Sequence, residues 1–126
     1  MAWNTTDADV FIRILVDDLV VTMGQSTGIY FIDSSKAFVS RGSIICWKVE
    51  MLNPKSPGLS TIVEVGDCYA WGTTGTPQIA ADISDGTAYV GTAETAGTFN
   101  YIVSIDVVAS TGQANTIKIT PTINVS

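Results

Sequence analysis

A chain of 126 residues has the length of one domain, with material for one sizeable core and not for two. Its net charge of −6 and six scattered basic residues exclude a phosphate-backbone partner, because nucleic-acid binding needs clustered Lys and Arg. Apolar residues make up 46% and charged residues 14%, against about 25% in an average soluble protein, so Thr, Ser, Asn and Gly must cover the surface and charge repulsion between copies is weak.

Residues 1–8 read as a polar lead-in with a loosely ordered tip. They hold no basic stretch followed by an apolar one, so no secretory signal is expected and the location implied is cytoplasmic. The longest near-apolar run, 10–21, is interrupted by Arg13, Asp17 and Asp18 and is no membrane span.

The first strand is expected over 10–16, with Val10, Ile12, Ile14 and Val16 on one face and Phe11, Arg13 and Leu15 on the other. Residues 18–23 either continue it or form a short helical turn, and 24–28 are a loop. Short strands follow at 29–32 and 37–39, separated by the turn Asp33-Ser34-Ser35-Lys36. The strand over 43–51 presents Ile45, Trp47, Val49 and Met51 on one face and Ile44, Cys46, Lys48 and Glu50 on the other. Pro54 and Pro57 make 53–58 the clearest loop, since neither can donate to a ladder.

Segments 61–65 and 68–71 read as strands flanking Gly66-Asp67, which is either a tight turn or a bulge. Cys46 and Cys68 both fall in expected strands and read as buried thiols rather than a disulfide. A flexible loop covers 72–77, the stretch 78–83 has no clear period, Asp85-Gly86 is a turn, and 88–90 is a short strand.

The last third is the most regular. Phe99, Tyr101, Val103, Ile105, Val107 and Ala109 take every second position, residues 110–113 form a turn, and Ile117, Ile119, Ile123 and Val125 resume the alternation. This is a long β-hairpin whose apolar side, with Trp47, should line the main core. Seven to nine short strands without an amphipathic helix predict a single all-β domain over 1–126. The expected fold is an antiparallel β-sandwich of immunoglobulin-like or cupredoxin-like arrangement.

Histidine is absent, which removes the usual general base, the Ser-His-Asp triad and every His-based zinc or copper site. Two cysteines cannot complete a Cys₄ zinc site, and no phosphate-binding loop occurs. Asp17 and Asp18 point to opposite faces of a strand, while Asp82 and Asp85 read as solvated turn acids. No enzyme, metal site or cofactor is expected.

The order of segments resembles that of the bacterial inclusion-body proteins of the AidA/PixA type. The matching stretches are 9–17, Gly28-Ile29-Tyr30-Phe31, Gly42-Ser43-Ile44-Ile45-Cys46-Trp47, Ala96-Gly97-Thr98-Phe99-Asn100-Tyr101 leading into 103–108, and Thr120-Pro121-Thr122-Ile123-Asn124-Val125. The chain is shorter than that family's norm and lacks its Asn/Pro-rich loop after the first strand. The resemblance implies a β-sandwich without known catalysis that collects in inclusions, and it supplies no catalytic residues.

Two functions fit. In the first, the protein is a homo-oligomer that self-associates through the edge of its last hairpin, where Lys118 is the one charge of the final strand and Thr116 and Thr120 point outward. In the second, it is a small carbohydrate-binding module in which Trp71 stacks on a sugar ring while Asn53, Thr73, Thr74, Asp82 and Asp85 bind hydroxyls. The competing role for Trp71 is to close the core at a strand end, and for Trp3 to pack on a neighbour or a partner subunit.

Overall fold

Alternating β-branched residues build β1 (Val10–Val16), which buries Ile12, Ile14 and Val16 and turns Phe11 and Arg13 outward. The computed structural model describes residues 3–16, 29–31, 36–51, 59–66, 68–83, 85–108, 112 and 114–126, with backbone alone for 29–31, 36, 37, 73 and 74. The expectations for 17–28, 32–35, 52–58, Asp67, Ala109 and all of the 110–113 turn but Gly112 lie outside the described residues, Asn53 among them.

Eleven strands form among the described residues. After β1 come β2 (Ile29–Phe31), β3 (Lys36–Val39), β4 (Ile44–Met51), β5 (Leu59–Val65), β6 (Gln78–Ile79) and β7 (Ala88–Thr92). The chain closes with β8 (Gly97–Asn100), β9 (Val103–Val108), β10 (Ala114–Ile119) and β11 (Thr122–Val125). A five-stranded sheet has the order β2-β1-β4-β7-β6, and two three-stranded sheets have the orders β10-β9-β5 and β3-β11-β8. Pairing is antiparallel except for β1 on β4 and β3 on β11, which are parallel.

The last hairpin forms in one register from end to end. Ile119 faces Val103, the Tyr101 amide donates to the Pro121 carbonyl at 3.1 Å, and Thr122 faces Asn100. Pro121 lacks an amide proton, so the ladder breaks there and the hairpin passes from one sheet to the other. Gly112, between the described ends of β9 and β10, has φ +88°, a conformation L side chains rarely adopt.

The main core lies between the five-stranded sheet and the two smaller ones. Ile12, Ile14, Ile45, Trp47 and Val49 meet Ile62, Val103, Ile105, Val107 and Ile123 there. At its centre Trp47, Trp71 and Tyr101 pack edge-to-face with ring centroids 5.3–5.9 Å apart. Phe99, Ile117 and Ile119 are only partly buried against this core.

The far face of β4 is covered as well. Cys46, Ala80, Ala88 and Val90 form a second cluster, closed by Trp3, Ala8, Ile44 and Ile83. From Trp3 onward the lead-in is therefore part of the fold: Thr5–Asp7 make one 3₁₀ turn, and the Trp3 carbonyl accepts from the Ala81 amide at 2.9 Å.

Candidate functional site

The expected strand at 68–71 is replaced by a 3₁₀ segment, Tyr69–Thr74, capped by Cys68, whose Sγ accepts from the Ala70 amide. Asp67 lies outside the described residues, and with it the expected turn or bulge at Gly66-Asp67. The Trp71 indole donates to the Gly66 carbonyl at 2.9 Å. The Ala70 carbonyl anchors the segment by accepting from the Glu94 and Thr95 amides. Gly72 permits the next bend: it sits at φ +58°, and a Cβ there would lie 2.7 Å from a Glu94 carboxylate oxygen.

Of the two roles open to Trp71, this geometry agrees with closing the core and not with stacking. Its ring is fully buried, so neither face is open to a sugar, and it closes the core instead. Thr73 and Thr74 lie on the same 3₁₀ segment. Asp82 is not a free turn acid, because it accepts from both the amide and the hydroxyl of Thr5 and ties down the lead-in. The Thr5 hydroxyl, then its amide, hold the Asp82 carboxyl below its ordinary pKa. Asp85 accepts from the hydroxyl and amide of Thr87, which depress its pKa in the same way. Of the candidate set, Trp71 faces inward while Asp82 and Asp85 serve separate local bonds; Asn53 and the side chains of Thr73 and Thr74 lie outside the described residues.

Among the described aromatic side chains, Tyr69 faces solvent most fully, at 86% exposed. It borders an open depression of about 860 Å³ with Cys68, Gly72, Thr95, Phe99 and Asn100. Sequence reasoning missed it, since its only signal is that burying Trp71 in a short 3₁₀ segment turns a neighbouring position outward.

A second candidate surface is the β10 edge. Within the sheet β10-β9-β5, the β5 side is occupied: the Ile62 amide donates to the Gly86 carbonyl at 2.7 Å and the Tyr89 hydroxyl donates to the Val63 carbonyl at 2.9 Å. Val63 is also the extra residue of a bulge, which turns that edge away from regular pairing. On the opposite side, no described strand flanks β10. Its exposed residues Ala114, Thr116 and Lys118 alternate with the half-buried Asn115, Ile117 and Ile119. Beside them, Leu59, Val108 and Ala114 make one exposed apolar row across the sheet.

Both cysteines are thiols rather than a disulfide, Cys46 buried in the outer cluster and Cys68 half-buried. Burial pushes the Cys46 thiol up to about 11, with Lys48 opposing the rise. Among the described residues no three Cys, Asp or Glu side chains gather as a metal site, and no helix is long and apolar enough to cross a membrane.

No family model and no curated protein matches the chain. Among solved structures, it is similar to the inclusion body protein PixA from Burkholderia cenocepacia, with a TM-score of 0.68 at 13% identity, covering 99% of this chain and 100% of that one. A reduced copper(I) form of amicyanin has a TM-score of 0.43 at 12% identity, covering 100% and 92%. A purple cupredoxin from Nitrosopumilus maritimus has a TM-score of 0.42 at 11% identity, covering 90% and 98%. The likeness to the PixA type read from the order of segments thus extends to the whole β-sandwich.

Proposed function

We propose that this chain is a non-catalytic bacterial protein that self-associates into oligomers or cytoplasmic inclusions. The observation that carries the reading is the edge of β10, beside which no described strand lies, a six-residue strand whose one charge is Lys118. Edge strands are templates for further pairing unless charge, proline, a bulge or a covering segment blocks them. The β5 edge of the same sheet has two of those protections, and β10 has little. The fold shared with a protein named for its inclusion bodies agrees with this reading. Sedimentation velocity across a concentration series tests it: a dimer or larger species at tens of micromolar is expected, and a monomer throughout overturns the reading.

Carbohydrate recognition remains as a second reading on Tyr69, whose exposed ring borders a depression edged by Thr95 and Asn100. A glycan array should then show binding that Tyr69→Ala abolishes. An array without hits for the wild type removes it.

A further inference from the structure

Resting on the self-association reading, we propose that two copies join their β10 strands antiparallel about a two-fold axis at Ile117, so that Lys118 of each copy meets Asp106 of the other across Thr116. The occupant of the open edge is a second copy of this chain.

Face parity restricts the register first. Ala114, Thr116 and Lys118 face solvent, while Asn115, Ile117 and Ile119 face the core side. Directly opposed residues of antiparallel strands share a face, so odd positions must pair with odd and even with even. Setting Lys118 against Lys118 of the second copy opposes like charges. Setting Thr116 against its own copy places Lys118 opposite Ala114, next to the apolar Val108 and Leu59.

The remaining compact register sets Ile117 against Ile117, Asn115 against Ile119 and Lys118 against Thr116. Thr116 is itself paired with Asp106, to which its hydroxyl donates. Lys118 of the second copy then lies two strands from Asp106, roughly 10 Å between Cα atoms, a span a lysine stem crosses over Thr116. Asp106 and Thr116 line a shallow depression of about 270 Å³ where that ammonium group would settle. Within its own chain, Lys118 has Ser104 and then Glu64 as its row. Each lysine thus falls between two carboxylates, and it takes part in neither ion pair found among the described residues. The half-buried Ile117 and Ile119 lose further exposure to water in the same step.

Charge reversal with rescue tests the pairing. Lys118→Glu and Asp106→Lys should each weaken the dimer about fivefold by sedimentation equilibrium at low salt, and the double variant should recover most of the loss. Circular dichroism confirms that each variant is folded. Independently, mixing Thr116→Cys with Lys118→Cys chains, both carrying Cys68→Ser, should yield the mixed disulfide in excess over either homodisulfide. A wild-type dimer unmoved by both reversals, or a mixture cross-linking at random, overturns this interface while self-association stands. A wild type that is monomeric throughout overturns self-association as well.

Discussion

The Trp47 indole nitrogen donates to the Tyr101 hydroxyl at 2.8 Å in the middle of the core, joining β4 of one layer to the β8–β9 junction of the other. Both rings are buried, so this bond has no water to replace it. Tyr101→Phe keeps the ring packing and removes the acceptor. It should cost about 1–3 kcal/mol by urea denaturation, the penalty of an orphaned buried donor. A loss within a few tenths would mean that the bond does not hold the layers together.

Trp47→Ala and Phe99→Ala should differ in cost. Trp47 is fully enclosed and central to the aromatic trio, so truncation should cost about 3–5 kcal/mol. Phe99 only borders the core, and about 1–2 kcal/mol is expected from its partial burial. Equal losses at the two positions would contradict the placement of the core.

Alkaline pH should destabilise the fold through Cys46. Its folded pKa of about 11 lies above the ordinary 9.0, so the neutral thiol is the form the fold prefers. The contribution is present in full below pH 9 and is lost as pH rises through 11, about 2–3 kcal/mol in all. Burial of Tyr101 raises its pKa too, which extends the decline beyond that window. Cys46→Ala should flatten the fall between pH 9 and 11. A wild-type stability constant across that range would refute the assignment.

Edge pairing about a two-fold axis closes at the dimer, so growth into an inclusion needs a second surface. Phe38 is the strongest apolar candidate on the far sheet: it is 78% exposed on β3, in a row with Asn124 and Thr98. Phe38→Asp should leave melting temperature and dimer intact while removing larger species from the sedimentation profile. Unchanged large species would place growth elsewhere.

The hairpin was the most readable part of the chain, because period two from Phe99 to Val107 and from Ile117 to Val125 fixes which side faces inward. Pro121 also showed where a donor is missing. Alternation along one strand does not say which strand lies beside it, so the parallel pairing of β1 with β4 was not readable. Nor does it say what covers a second face. Cys46 is buried by Trp3, Ala8 and Ile83, which approach from distant points of the chain. Trp71 had two open roles, sugar stacking and core closure, because a tryptophan beside Gly and Thr looks exposed until the 3₁₀ segment turns it toward Gly66. The candidate edge was legible in its low charge, but its openness depended on sheet order.

Hydrogen exchange of the amides of 114–119, measured on wild-type protein in dilute and concentrated solution, reports directly whether this edge is where copies meet. The outward amides of β10 should exchange fast when dilute and gain protection as concentration rises, while the amides of β1 and β4 should not change. Exchange across 114–119 that is the same at both concentrations, in a sample shown by light scattering to associate, would contradict it.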